Sequence, residues 1–396
     1  MSLLFLNQYF PPDDAATAQM LGDLAAEAVR SGSMVRVVCG DRSYFDPARR
    51  YPRQEIWNGV QVNRVRRSGF GRGSAIGRTV DYATYLLGTF VRAVRGPRPD
   101  VIVAMSTPPI LGALGAAVAR LRGARSVYWV MDVYPDIAFE LGALKPRSIP
   151  GRLFAAISRW ALRSSDLVIA LGDTMAARLR QAGARRVLAI HNWADGEAIT
   201  PKAPEASGYR RARGWNDRFV VLYSGNLGLA HEFATALQAA TRLADRPVVF
   251  AFVGSGPRLA EAEEFARTHQ LTHVEFHSHV AREDLGDLLA AGDLHLVTLR
   301  PRIPGLLVPS KLYGILAAGR PTVYVGPPEG EVFDIVQRGC GAAVANGDVD
   351  QLVNTIEAYR ADESRRHREG AAARALFEAE FTKARQTGRI LATTTT

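Results

Sequence analysis

Short apolar runs alternating with helix-patterned stretches recur along the whole chain in two series, and this alternation constrains the fold more than any other feature. The first series opens with "SLLFLNQYF", ended by Pro11-Pro12, then a helix over "AATAQMLGDLAAEAVRSG" and the strand "MVRVVCG". It continues with "DVIVAMS", a helix over "ILGALGAAVARLRG", "SVYWVMD", a helix near 151–164, "DLVIALG", a helix near 173–183 and "RVLAIHNW". The second series has strands "FVVLYSG", "VVFAFVG", "VEFHSHV", "LHLVTL", "PTVYVG" and "GAAVA", with helices near 231–244, 258–269, 281–291, 310–319, 329–338 and 348–360. Strands that alternate with helices predict an α/β class with parallel sheets covered on both faces.

A chain of 396 residues exceeds one ordinary core, and the polar, turn-rich "ADGEAITPKAPEASGYRRARGWNDR" falls between the two series. We therefore expect two doubly wound Rossmann-like domains facing a central cleft, over 1–198 and 199–370. A helical segment over 371–396 is expected to pack back on the first domain. Ligands of such sheets sit at the carboxyl ends of the strands, where loops and helix starts present unpaired amides.

Apolar residues make up 47% and charged residues 22%, an ordinary globular composition. Cys39 and Cys340 lack CxxC spacing or a companion histidine pair, so neither a disulfide framework nor a zinc site is indicated and no metal is expected. No basic segment precedes "MSLLFL" and no long uninterrupted apolar run follows, so the expected location is cytoplasmic. The net charge of +10 is concentrated: residues 41–98 hold 12 arginines against Asp41, Asp46, Glu55 and Asp81. Beside the amphipathic "YATYLLGTFVRAVRGPR", this cluster is read either as a solvated face or as a peripheral contact with an anionic membrane. No nucleic-acid-binding module accompanies it, so nucleic acid is not an expected partner.

One lysine stands out. The chain has 45 arginines and four lysines, yet Lys311 follows Pro309-Ser310 at the start of a helix in "LVPSKLYGILAAGRP". A cation there opposes the helix dipole unless an anion is shared between the ammonium and nearby amides, and Ser310 is a natural N-cap. Gly225, Asn226 and Gly228 in "YSGNLGLAHEF" let the backbone approach an anion, ahead of a helix expected to include His231. In "PPEGEVFDIVQRGCG", Glu329 and Glu331 favour the helix dipole or hold a ribose diol. Asp132 and Asp136 in "WVMDVYPD" end a first-domain strand, where a carboxylate caps a turn, holds a sugar hydroxyl or accepts a proton. The loops "YFPPDDAAT" and "STPP" are expected beside them.

Together "NQYFPPDDAATAQ", "STPPILGALGAAVARLRG", "DVYPD", "NWAD", "YSGNLGLAHEF", "FVGSGPR", "VPSKLYGILAAGRP" and "GCGAAVANGD" resemble the family 4 retaining glycosyltransferases of the GT-B fold. The resemblance covers nearly the whole chain and looks nearest to the bacterial polysaccharide transferases of the L-fucosamine type. It implies a nucleotide-diphosphate sugar donor, UDP-linked, on the second domain and a glycan, lipid-linked or small-molecule acceptor on the first. It also implies transfer with retention and without an essential metal or other cofactor. Carried over by motif, Gly225 and Asn226 stand by the diphosphate, Lys311 pairs with it, Val280 lies near the base, and Asp132 approaches the sugar or acceptor. Ser310, Leu307, Glu331 and His231 complete the expected donor site.

This chain also departs from the family. Asn226 and His231 stand where many members have an arginine and a lysine, and Leu306 and Gly314 where they have two glutamates. Leu306 and Leu307 are then expected at the rim, favouring a deoxygenated or N-acylated sugar. Rival readings are a natural-product transferase of the aminoglycoside type, a GT-B epimerase or phosphorylase, and a non-catalytic sugar-nucleotide-binding protein.

Overall fold

The computed structural model describes residues 1–44, 46, 48–66 and 75–395. The chain divides into two compact units. The first comprises Met1–His191, Gly305–Leu307 and Ala384–Thr396, and the second Asn192–Pro304 and Val308–Lys383.

The first unit is built on an eight-stranded sheet: β1 (Ser2–Leu6), β2 (Met34–Gly40), β3 (Gln54–Trp57), β4 (Val60–Val65), β5 (Val101–Met105), β6 (Arg125–Trp129), β7 (Leu167–Ala170) and β8 (Val187–Ala189). The strand order is β3-β4-β2-β1-β5-β6-β7-β8, and every pairing is parallel except β3 with β4. Strand order reverses between β1 and β5, and this is the switch point at which open α/β sheets take ligands. The hairpin β3–β4 was absent from the sequence reading. Its turn is Asn58-Gly59 with both φ values positive, as the tight turn of a hairpin requires, and the dipeptide in "IWNGVQV" carried that signal. Helix Ala75–Arg95 lays its apolar side on the sheet: Tyr85 and Ala93 are buried in one cluster with Leu4, Leu6, Ile102 and Ala104.

That packing accounts for most of the amphipathic pattern that the sequence suggested for a membrane. One member of the arginine cluster is not a surface charge. Arg64 is wholly buried, donating to the carbonyls of Pro52 and Pro11 and to Glu55 Oε1 at 2.6 Å, so it is a structural ion rather than a lipid contact. Arg67, Arg72 and the Arg78 side chain lie outside the described residues.

The second unit holds β9 (Phe219–Ser224), β10 (Val248–Val253), β11 (Val274–His277), β12 (Leu294–Thr298), β13 (Thr322–Val325) and β14 (Gly341–Val344), all parallel, in the order β11-β10-β9-β12-β13-β14. Its core strands are apolar on both faces, as helix-covered parallel strands must be. Phe219, Val221, Tyr223, Phe250 and Phe252 face one helix layer, and Val220, Leu222, Val249 and Val253 face the other. The order reverses between β9 and β12, so the loops after these two strands flank the switch point.

Among the described residues no helix is long and apolar enough to cross a membrane. No group of three or more His, Cys, Asp or Glu side chains among them is placed to hold a metal ion.

Candidate functional site

In the second unit, β9 ends at Ser224 and is followed by Gly225, whose φ of +120° suits glycine alone, and the chain turns through Asn226, Leu227 and Gly228. The loop is held from behind by "VGSG". The Gly225 amide donates to Val253 O at 2.8 Å, the Leu227 amide to Ser255 O at 2.8 Å, and the Arg258 amide to Leu227 O. A Cβ on Gly254 would lie 2.1 Å from Gly225 O, and one on Gly256 2.5 Å from Leu227 O. Both glycines also have positive φ, near +150°. Tyr223 donates its hydroxyl to Asn226 O at 2.7 Å, bracing the turn from the strand side. Among the described residues, none accepts a hydrogen bond from the amides of Asn226 or Gly228. The turn therefore presents a rigid backbone with donors to spare, the chemistry that binds oxyanions.

Because the loop leans on bare glycine backbone, Gly254→Ala is expected to push Gly225 out of place. The strained φ alone costs about 1–3 kcal/mol, so unfolding should shift down by several degrees. Affinity for an anionic ligand on the loop, followed by titration calorimetry, should fall by at least about 10-fold. Unchanged affinity would show that the loop does not bind the anion.

Lys311 opens helix Lys311–Ala317 in this unit. Its ammonium folds back over the Tyr223 ring, 3.3 Å from the centroid, and lies 3.6 Å from the position of a Cβ on Gly225. The amine is buried, and among the described residues no atom accepts a hydrogen bond from it. Burial pushes its pKa well below the ordinary lysine range. Among the described residues the Tyr223 face is its one favourable partner, and a cation held by a ring quadrupole alone is under-satisfied.

His231 does not belong to a helix. The helix expected from 231 begins at Ala234, because the loop after Gly228 uses His231 to reach the end of β12. Its Nδ1 stands 2.6 Å from Thr298 O. A carbonyl only accepts, so Nδ1 carries the hydrogen and Nε2 keeps its lone pair. Burial, reinforced by the Lys311 charge, lowers the His231 pKa to about 3, so the ring is neutral and does not replace a missing cation. Two arginines do stand by the loop. Arg258 donates to His231 O at 2.7 Å and pairs with Glu261, and Arg300 donates to Leu229 O at 3.3 Å.

Several other expectations change. Ser310 precedes the Lys311 helix but makes no side-chain cap bond, since its own backbone is already helical (φ −62°, ψ −23°). Gly314 faces Leu289 and Ile199, so a glutamate there would meet an apolar wall. Glu331 starts helix Glu331–Val336 and is buried, and with burial its charge raises the hydroxyl pKa values of Tyr313 and Tyr324. Glu329 is exposed. Val280 packs beside Trp215, whose Nε1 bonds both oxygens of Glu275 at 3.1 Å; Glu275 also meets His277.

In the first unit the carboxyl-end loops are stitched together. The Gln8 amide donates to Thr107 O, and the Gly40 amide to Gln8 O. Ser106 Oγ, from "STPP", accepts from the amides of Met131 and Asp132 at 3.0 and 3.2 Å. Asp13 is committed to structure, accepting from the amides of Ala15 and Tyr44. Asp132 bridges antiparallel to Leu307, and the Val133 amide donates to Leu306 O. Leu306 is buried, so only Leu307 is partly exposed, against the expectation of two rim leucines. Burial raises the Asp132 pKa to about 6.

The model for glycosyl transferase 4-like domains matches residues 16–193, and that for glycosyl transferases group 1 matches residues 218–362. The chain belongs to the family 4 glycosyltransferases of the GT-B fold. WcaI of Escherichia coli K12, named as a colanic acid biosynthesis glycosyl transferase, is 27% identical over 87% of this chain and 88% of its own. WbjE of Pseudomonas aeruginosa, named as a glycosyltransferase, is 27% identical over 66% of each chain. The crystal structure of Anabaena HepE in complex with UDP-glucose shares the fold, with a TM-score of 0.76 at 20% identity over 99% of both chains. In this glycosyltransferase Lys311 and the Gly225 loop fall within the group 1 domain, and Asp132 within the 4-like domain.

Proposed function

We propose that this glycosyltransferase moves a sugar from a UDP-linked donor to an acceptor hydroxyl, with retained anomeric configuration and without a metal. The observation that carries the reading is the buried Lys311 ammonium, without a hydrogen-bond acceptor among the described residues, beside a glycine turn whose amides are unpaired among the same residues. A diphosphate against that turn supplies the missing acceptors, and each charge-assisted bond contributes about 1.5–3 kcal/mol. HepE, of the same fold, binds UDP-glucose, which supports the nucleotide and the class of donor.

As the bond from the anomeric carbon to the phosphate oxygen breaks, Lys311 and the loop amides stabilise the charge gathering on the leaving diphosphate. The acceptor hydroxyl adds on the same face and gives its proton to the departing phosphate oxygen. Neutral His231 offers Nε2 as an acceptor, so it suits a donor-sugar hydroxyl rather than phosphate. Asp132 is read as the group that orients the acceptor hydroxyl. The sugar is read as N-acylated or deoxygenated. The acceptor is read as a glycan, lipid-linked or small-molecule hydroxyl in cell-surface polysaccharide assembly, in line with the named role of WcaI. The reading includes a cytoplasmic site of action with peripheral contact to an anionic membrane.

The test is a panel of UDP-sugars with acceptor extracts. UDP should appear only when both substrates are present, at a rate insensitive to chelator, with the product's anomeric coupling matching the donor's. Inverted product would overturn retention, and absence of turnover with every pair would overturn transfer from UDP-sugars.

A further inference from the structure

Helix Ile149–Ser164 of the first unit carries an outward face that its own fold does not use. It is firmly seated. Ser148 caps it by accepting from the Gly151 amide, Gly151, Ala161 and Leu162 are buried, Phe154 stacks on Tyr134, and Ser158 Oγ donates to Tyr134 O at 2.7 Å. On the opposite side Ile149, Leu153, Ala156 and Trp160 recur at intervals of three and four, which forms a single stripe. Ile149 is 83% exposed, Leu153 60% and Trp160 43%. Arg152, Arg159 and Arg163 run along one flank of that stripe, also exposed.

The charge is one-sided. From 145 to 163 the chain holds Lys145, Arg147, Arg152, Arg159 and Arg163 and no acidic residue. Against the stripe lies a groove of about 630 Å³ whose walls include Val133, Pro135, Phe139 and Leu162, with Arg152 and Arg159 at its lining and Asp136 as its one carboxylate. A protein partner for such a face would need matching carboxylates around an apolar seat. A bilayer with anionic headgroups presents both at once: acyl chains for Ile149, Leu153 and Trp160, and phosphates for the arginines. A tryptophan among the apolar residues suits the headgroup level.

We propose that this face docks the enzyme on an anionic lipid bilayer. The proposal deepens the membrane part of the function proposed above and names its surface. It places the contact on 145–163 rather than on the arginine cluster at 41–98. An acyl chain lifted toward the groove would bring a lipid-linked acceptor beside Val133–Asp136, next in sequence to Asp132.

The test is co-sedimentation of the full-length protein with vesicles, without donor or acceptor, so that its failure leaves the transfer assignment standing. Vesicles containing phosphatidylglycerol should bind the protein, pure phosphatidylcholine should not, and added salt should weaken binding. The triple variant Arg152→Gln, Arg159→Gln, Arg163→Gln should bind on the order of 100-fold more weakly. The pair Leu153→Ser, Trp160→Ser, with all arginines intact, should lose at least about 10-fold. All five side chains are outside the core, so circular dichroism and thermal unfolding should stay as in the wild type. Binding undiminished in both variants, or no binding to either vesicle, overturns the proposal. So does a dimer in solution that the same substitutions dissolve while vesicle binding is absent, which would assign the face to a second copy of the chain.

Discussion

Replacing Lys311 by methionine is expected to lower kcat by about 10²–10³ while leaving the donor-free protein as stable as the wild type, or more stable. The two effects point in opposite directions because the ammonium is buried without an acceptor. In the free protein it carries a desolvation cost offset only by the Tyr223 face, and a thioether of similar length packs on that ring without the cost. If the diphosphate binds as proposed, the same ammonium supplies charge that the loop amides cannot. Donor-induced stabilisation, about 2.7 kcal/mol at 100 times Kd, should therefore shrink sharply in the variant.

The pH dependence has a definite sign. The folded pKa of Lys311 lies below the ordinary value of 10.5, so between those two values the unfolded chain binds more protons than the native one. Stability contributed by this group then rises with pH across that window, and the methionine variant should lose this rise. Thermal melts with and without donor, across pH, read all three effects. A variant that melts lower yet keeps the full donor shift would remove Lys311 from the site and make it a packing residue.

The fold was legible because strand and helix periods alternate without interruption, and such alternation admits few arrangements besides helix-covered parallel sheets. What escaped were features that periodicity does not encode. The β3–β4 hairpin hid in a short, half-exposed stretch whose one clear signal was Asn58-Gly59. Arg64 read as one more surface cation because its burial depends on carbonyls 12 and 53 positions away. The start of the helix after Gly228 was misjudged because His231 has a tertiary task, its bond to Thr298 O, which outweighs helical propensity.

The candidate site was half legible. Lys311 stood out by composition and position, and Gly225-Asn226 by their place after a strand. Tyr223 did not, since in a strand buried on both faces alternation says nothing of which side chain meets the ligand side, and its role depends on Lys311 folding back over it. Ser106 was equally silent: a serine in "STPP" reads as loop until its Oγ is seen to accept two amides of the Asp132 turn. Gly314 shows the converse. Read against relatives it was a missing carboxylate, whereas its environment of Leu289 and Ile199 makes a small apolar position the consistent choice.

Asp132→Asn should separate the roles of the first unit from those of the donor loop. If the carboxylate orients the acceptor hydroxyl, turnover should fall by about 10²–10⁴, with donor binding unchanged. Wild-type turnover should rise with pH through about 6, where the buried carboxyl ionises, and the residual rate of the asparagine variant should be flat there. Stability should move the other way. The folded pKa lies above the ordinary 3.8, so between about 4 and 6 the native protein holds more protons than the unfolded chain, and stability from this group is lost as pH rises through that window. At neutral pH the neutral amide removes the penalty of a desolvated charge. The variant should then be more stable by about 1–2 kcal/mol, less than the full shift would give because part of the side chain remains in contact with solvent. A more stable, donor-competent and inactive variant is the signature of a carboxylate kept for its chemistry. An asparagine variant with the wild-type pH profile would transfer that profile to another group and leave Asp132 as a turn residue held by Ser106.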